Sequence, residues 1–291
     1  MGVIDLAEFA AAVGDADAGP VTITGLGTRG GPVPGVRCVG APAGIAWLQP
    51  DEMTVCCGAG TPVDELVAAL AEHRQTVALP AGGTVGGALS VGRADVRQLG
   101  WGPVRDTLLQ ARYVSAAGEV VKAGGPTVKN VSGFDVCRLL VGSRGTLGFL
   151  GEVILRTRPL ARASQWYRTS AEPAVVQRGL YRPVSLLWDG TMVWALLEGH
   201  PEDLAAQAAS LGMEPCDGPP TLPTGSRRVL PPAEAMASTG TFVVELGVGV
   251  VHHADQWTSP TRDAREAALA EAVRREMDPT GRLNPVLPVH G

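Results

Sequence analysis

At 291 residues and 45% hydrophobic content, the chain is too long for one minimal core and suits one large or two medium domains. The formal charge of -5, with no basic block, argues against nucleic acid as a partner. The 38 glycines and 23 prolines show no triplet period, so the chain is not collagen-like; they imply many turns and close backbone approaches. The cysteines, Cys38, Cys56, Cys57, Cys137 and Cys216, form no CxxC and no zinc or iron–sulfur spacing, and their odd count argues against a disulfide framework. The opening MGVIDLAEFAAAV contains acidic residues and no basic region, so it does not read as a signal peptide. No apolar run approaches the ~18 residues that span a bilayer, and a cytoplasmic protein is the expectation.

In chain order, residues 1–20 read as a short helix and a loop, and residues 20–24 as a strand. The strand runs into a first glycine-rich loop, Gly25-Leu26-Gly27-Thr28-Arg29-Gly30-Gly31. Pro32, Pro34 and Gly35 break the chain after it, which argues against the Rossmann fingerprint, whose glycine turn opens a helix. Residues 44–49 and 53–57 read as two strands. A helix follows, with Thr61 as cap, Pro62 at its first position, and Val63, Leu66, Val67 and Leu70 on its core face.

A second glycine-rich loop runs from Leu79 and Pro80 through Gly82, Gly83, Thr84, Val85, Gly86 and Gly87 to Ala88. Residues 108–116 and 119–123 read as a hairpin. Asp135 can cap a short helical run over 136–141, and Gly142 can take the left-handed conformation that ends it. A third loop, Ser143-Arg144-Gly145-Thr146-Leu147-Gly148, leads into a strand at 153–157. Concave arrays of backbone N–H groups at such loops suit an anion such as a pyrophosphate; a single loop of this kind could equally be a tight connection.

Residues 161–255 change character. Strands are expected at 165–169, 184–188 and 192–197, helices at 172–180 and 202–211, and a small α+β domain follows from that order. Residues 216–232 read as loop, 242–253 as one long strand, and 259–277 as a last helix presenting Ala264, Ala267, Ala268, Ala270, Val273 and Met277. Cys56, Cys57 and Cys137 are expected as buried small residues, and Trp101 as packing beside the second loop. Arg227 and Arg228 read as a solvated loop pair, and Arg93 and Arg97 as candidates for a substrate carboxylate.

Together, the three loops resemble the flavin-binding domain of the vanillyl-alcohol oxidase superfamily, the PCMH fold. Gly25-Leu26-Gly27-Thr28-Arg29 is similar to its GxGTK/R loop, Thr84-Val85-Gly86-Gly87-Ala88 to its TxGG(A/N) segment, and Gly142 to Gly148 to its GSxGTLG. Within it, Gly102-Pro103-Val104-Arg105-Asp106, Lys129-Asn130-Val131-Ser132-Gly133-Phe134-Asp135 and the closing Asp278-Pro279-Thr280-Gly281-Arg282-Leu283-Asn284-Pro285 resemble the FAD-binding E subunits of bacterial glycolate oxidases.

The resemblance implies an α+β fold: a two-part FAD domain over 1–160, a reduced cap over 161–255, and a segment over 256–291 that returns to the FAD domain. It implies that the first loop wraps the FAD pyrophosphate, while the second and third hold the other side of the dinucleotide and the flavin edge. Residues expected at the cofactor are Gly25, Leu26, Gly27, Thr28, Arg29, Pro80, Thr84, Gly86, Gly87, Gly133, Asp135, Gly142, Ser143, Gly145, Thr146, Gly148 and Asn284. It further implies a paralogous FAD subunit and an iron–sulfur subunit as partners, a small hydroxy acid as substrate, and a place in the cytoplasm, peripheral to the inner membrane through those partners.

Two departures qualify this. The first loop lacks a histidine or cysteine for covalent flavin attachment, so FAD is expected to be non-covalent. The late strand ends Val250-Val251-His252-His253 where metal-assisted members carry an H-x-G-D-G-N-x-H type strand. Adjacent strand residues point to opposite faces, so the two histidines do not form a metal pair and no metal site is expected. They read as a satisfied or solvent-facing pair, or as one substrate-facing histidine. No catalytic residue can be named. Two rival readings stay open: a stand-alone flavin oxidoreductase on a small hydroxylated substrate, and a degenerate structural or electron-relay flavoprotein.

Overall fold

The computed structural model describes residues 2–125, 135–257 and 264–285. The chain divides into two compact units. The first comprises Met1–Ala94, Pro103–Leu160 and Arg262–Gly291, and the second Asp95–Gly102 and Ala161–Thr261.

The first unit opens with α1 (Ala7–Val13) and a parallel pair, β1 (Val21–Thr24) and β2 (Arg37–Gly40). A hairpin of β3 (Ile45–Gln49) and β4 (Thr54–Gly58) leads to α2 (Val63–Ala71), β5 (Gln75–Val77) and α3 (Val85–Val91). After α4 (Gln98–Trp101), which belongs to the second unit, come β6 (Leu108–Val114), β7 (Val120–Gly124), α5 (Val136–Leu140) and β8 (Phe149–Pro159). The antiparallel sheet runs β3-β4-β8-β6-β7, with β5 on the far end of β8. Val55, Cys57, Leu66, Leu70, Leu89 and Leu155 form its core. A smaller core of Leu6, Val13, Val21, Phe149 and Leu283 joins α1 to β1 and to the late segment.

Several local expectations change here. Val63, Leu66 and Leu70 are buried on α2 as the periodicity requires, but Thr61 does not cap that helix. Its hydroxyl instead accepts from the Gly44 N–H at 2.9 Å and leaves Pro62 as the cap. The second glycine loop opens a helix that periodicity did not reveal. Thr84 caps α3, its hydroxyl accepting from the Gly87 N–H at 3.1 Å. The prolines after the first loop do exclude a helix, yet β2 forms beyond them by pairing with β1.

The second unit contains β9 (Ala163–Thr169), α6 (Pro173–Gly179), β10 (Ser185–Trp188), β11 (Val193–Gly199), α7 (Pro201–Ser210) and β12 (Glu214–Cys216). It continues with β13 (Ser226–Val229), α8 (Pro232–Met236), β14 (Phe242–Glu245) and β15 (Val250–His253). Its seven strands run β12-β9-β11-β10-β14-β15-β13, antiparallel throughout. The expected long strand over 242–253 is a hairpin instead. Gly247 and Gly249 take φ of 78° and 79°, which lets the chain reverse between β14 and β15. The expected loop over 216–232 contains β13, and Arg227 and Arg228 lie on it, the Arg228 guanidinium 5.0 Å from the Trp257 ring centre. Trp101 sits in this unit, where its indole donates to Glu198 at 3.0 Å and its ring lies under Arg97.

Returning to the first unit, α9 (Ala264–Met277) buries none of its side chains fully. Only Val273 and Met277 pack against the main core, while Ala264, Ala267 and Ala268 are exposed. Among the described residues, no helix is long and apolar enough to cross a membrane.

Candidate functional site

The first loop projects beyond β1, with Gly25, Leu26, Gly27 and Thr28 all exposed. Gly27 takes φ of 70°, and a Cβ placed there would meet nothing within 4 Å. The same open space surrounds Gly30 and Gly31. Backbone amides at these positions are therefore reachable by a bulky anionic ligand.

Arg29 fastens this loop to the second. Its guanidinium donates to the carbonyls of Gly82 at 2.7 Å, Pro80 at 2.9 Å and Ala81 at 2.9 Å. Burial pushes its pKa below the ordinary guanidinium value, and the nearby Asp64 carboxylate opposes that shift. The resemblance places Arg29 at the cofactor; here three of its N–H donors are taken up in shaping the second loop. Asp64, an acidic residue in the first turn of α2, holds the same loop by accepting from the Gly82 N–H at 3.1 Å. A Cβ on Gly25 would stand 2.9 Å from the Thr84 hydroxyl, so this glycine lets the two loops meet. Gly86 donates to the Ala59 carbonyl at 2.7 Å, anchoring the first turn of α3.

The third loop packs on the other end of α3. Gly142 N–H donates to Leu89 and Arg144 N–H to Ser90, at 3.0 and 2.8 Å. Asp135 caps α5 by accepting from the Arg138 N–H at 3.2 Å, and Gly142 ends it with φ of 84°. Ser143 and Thr146 close the turn: the Ser143 hydroxyl donates to Leu140 at 2.8 Å and the Thr146 hydroxyl to Ser143 at 2.7 Å. Gly145 and Gly148 are buried, and a Cβ on Gly145 would meet Asn284 Nδ2 at 2.7 Å. Lys129 to Phe134, including Gly133, lie outside the described residues.

Asn284 connects these parts. Its side-chain oxygen accepts from Thr22 Oγ1 at 2.8 Å and the Ile23 N–H at 3.2 Å, and its amide donates to the Arg144 carbonyl at 2.6 Å. Sequence reasoning singled out Asn284 and passed over its neighbours. Buried Arg282 donates to the carbonyls of Val13, Gly14, Gly19 and Ala116. Asp278 accepts from the N–H groups of Arg282 and Leu283 at 3.1 and 2.8 Å. The signal available was the closing segment itself, in which one acid, one arginine and one asparagine fall within seven residues.

In the second unit the histidines separate. His253 is satisfied, with Nε2 2.8 Å from the Thr239 carbonyl and Nδ1 accepting from the Asp255 N–H at 2.9 Å. His252 Nε2 lies 2.8 Å from Glu245 Oε1. Arg97 lies 3.8 Å from Asp95. Among the described residues, no group of three or more His, Cys, Asp or Glu side chains is placed to hold a metal ion.

Residues 7–124 match the family described as "FAD binding domain". Glycolate oxidase subunit GlcE of Escherichia coli (strain K12) is 34% identical over 221 residues, covering 69% of this chain and 62% of that protein. A D-lactate dehydrogenase of Archaeoglobus fulgidus is 34% identical over 118 residues, covering 40% of this chain and 27% of that protein. A solved alkyldihydroxyacetonephosphate synthase superposes with a TM-score of 0.64 at 13% identity, over 91% of this chain and 71% of its own. The chain thus spans less than two thirds of each of these two curated relatives. Residues 7–124 are an FAD-binding domain of the PCMH type, and FAD is the cofactor of this chain. The open glycine positions at Gly27, Gly30 and Gly31 fit a dinucleotide laid along backbone amides.

Proposed function

We propose that this chain is the FAD-binding subunit of a glycolate-oxidase-like 2-hydroxy acid dehydrogenase, an FAD-dependent oxidoreductase that works within a complex. The observation that carries the reading is the fastening of the first glycine-rich loop to the second by Arg29, with Gly25 close against Thr84, within a stretch that matches an FAD-binding domain. The likeness to glycolate oxidase subunit GlcE and to a D-lactate dehydrogenase supports the substrate class.

In this reading the amides of residues 25–29 hold the pyrophosphate, and the Thr84–Gly87 and Gly142–Gly148 segments hold the rest of the dinucleotide. The second unit acts as a reduced cap. Bound FAD supplies the redox chemistry, while the chain's residues position it and limit access to it. None of the cysteines is spaced for an iron–sulfur cluster, so electrons pass to another carrier, on a paralogous FAD subunit and an iron–sulfur subunit. FAD is held non-covalently, and the assembly is cytoplasmic, peripheral to the inner membrane through its partners.

The test is purification with and without the products of neighbouring genes, followed by a flavin spectrum and a hydroxy acid:dye reductase panel. Hydroxy acid oxidation that appears only in the co-purified complex is the expected result. Full-rate turnover by the isolated monomer would replace the complex with a stand-alone enzyme. FAD occupancy with no turnover in any combination would leave a structural or relay flavoprotein.

A further inference from the structure

Adjacent residues on β4 face opposite sides of the first unit's sheet. Cys57 and its cross-strand neighbours, Val153 and Ala111, belong to the main core. The other face carries Cys56, Glu152 and Arg112, the last two directly opposite each other on β8 and β6. The segment before α1 crosses this face. A Cβ on Gly2 would lie 3.6 Å from the Ala46 carbonyl of β3, and one on Gly151 of β8 would lie 2.8 Å from a Leu6 methyl.

The segment is gripped at Ile4. Its N–H donates to Glu152 Oε2 at 2.5 Å, and its carbonyl accepts from Arg112 at 2.9 Å. The two side chains pair with each other at 3.3 Å, and Glu152 is buried. Both backbone groups of one residue are thus held by one ion pair, and hydrogen bonds to charged groups are the stronger kind. Val3 and Asp5, on either side, are exposed. The Cys56 thiol hydrogen-bonds the same carboxylate and is only 2% exposed.

This grip falls on the root of the third glycine loop. Leu6 and Phe149 share the smaller core, and a Cβ on Gly145 would lie 3.2 Å from the Phe149 ring. The Gly151 carbonyl accepts from the Ala59 N–H at 2.8 Å, and the Ala59 carbonyl accepts from the Gly86 N–H at 2.7 Å. Residues 149–152 therefore support both the third loop and the first turn of α3.

We propose that residues 2–6 form a strap, latched by Glu152 and Arg112, that opens separately from the core and, when closed, holds the third loop and the start of α3 in the form that retains FAD. Glu152 and Arg112 act through Ile4 and are positioning residues. A segment with few buried contacts opens at lower cost than the core it lies on. Opening bares Cys56 and leaves Cys57 covered, so the neighbouring thiols report on the two sides of the sheet. The link to FAD rests on the third loop's place at the cofactor and is independent of the substrate.

The experiment uses the FAD-loaded full chain. Ile4→Pro removes the N–H that Glu152 accepts and leaves the side chains of the sheet in place; Ile4→Val keeps that N–H and serves as control. Alkylation by iodoacetamide at pH 8, mapped by mass spectrometry, reads the strap. The rate of FAD release on dilution, followed by flavin fluorescence, reads the third loop. In Ile4→Pro, Cys56 is expected to label at least about tenfold faster than in wild type, with Cys57 still protected, and FAD to leave at least about threefold faster. Ile4→Val is expected to match wild type in both. Global destabilisation would bare Cys56 and Cys57 together, and that result overturns the proposal. Cys56 labelling at the wild-type rate overturns it too, as does faster Cys56 labelling with unchanged FAD release. Should Ile4→Pro fail to fold, deletion of residues 2–4 is judged by the same two readouts. Neither readout involves turnover, so the hydroxy acid dehydrogenase reading stands or falls separately.

Discussion

Asn284 Oδ1 accepts a hydrogen bond from Thr22 Oγ1 at 2.8 Å, across a separation of 262 residues. The same amide donates to the Arg144 carbonyl, so one buried side chain ties β1 to the third glycine loop. Asn284→Ala removes three hydrogen bonds and leaves the Thr22 hydroxyl and the Arg144 carbonyl without their partner. The expected loss is about 2–4 kcal/mol of folding stability, read from urea unfolding of the FAD-loaded protein. Unchanged unfolding would mean that the closing segment is not part of the domain.

Arg29 shapes the second loop through three carbonyls, so its removal acts on the cofactor through that loop. Arg29→Ala is expected to raise the FAD dissociation constant about tenfold to a hundredfold, or about 1.4–2.8 kcal/mol, with little effect on apoprotein folding. Arg29→Lys should not restore binding, because an ammonium cannot fork to three acceptors as a guanidinium does. Fluorescence titration of apoprotein with FAD checks both.

Gly145 and Gly27 separate the cost of folding from the cost of binding. Both sit at positive φ, 73° and 70°. A methyl on Gly145 meets Asn284 Nδ2 at 2.7 Å and Phe149 at 3.2 Å, whereas on Gly27 it meets nothing. Gly145→Ala is expected to destabilise the fold by about 1–3 kcal/mol. Gly27→Ala should cost only about 1–2 kcal/mol of backbone strain, yet place its methyl where the cofactor approaches and weaken FAD binding. Melting curves with and without FAD distinguish the two.

Burial, aided by the Glu152 carboxylate, pushes the Cys56 and Cys57 thiols up from 9.0 to about 12. A thiol whose folded pKa is raised contributes stability fully present below the unfolded value. That contribution is lost as pH rises from about 9 towards 12, because the unfolded chain gives up its proton first. Stability should therefore fall between pH 9 and 11, and fall less steeply in Cys57→Ala. At pH 8, alkylation read by mass spectrometry should label exposed Cys38 and spare Cys56 and Cys57 while the protein is folded.

What the sequence disclosed and what it hid divide along a physical line. The core face of α2, the Asp135 cap and the Gly142 stop are local events, governed by residues within a turn of one another, and each was legible; the Thr61 cap was not, because its hydroxyl is taken by distant Gly44. The helix α3 was not. Gly86 and Gly87 each cost a helix about 1 kcal/mol relative to alanine, so propensity argued against it; the Thr84 cap and burial of Val85, Ala88 and Leu89 prevail. The split of residues 242–253 into two strands depends on where β10 and β13 pair, a matter of tertiary partners. Within the candidate site, the glycine loops could be read from their spacing. The occupation of Arg29 by the second loop could not, because its acceptors lie 51 to 53 residues away.

The stitching of residues 282–284 into α1, β1 and the third loop also sets an order of events during synthesis. On a ribosome, β1 emerges early and Thr22 then waits for 262 more residues before its partner amide exists. Until then the carbonyls of Val13, Gly14, Gly19 and Ala116 lack the guanidinium that satisfies them. Contacts so distant in sequence form slowly, since the intervening chain must be ordered before they yield any stabilisation. The first unit is therefore completed late, after the whole of the second has been made and has had time to fold.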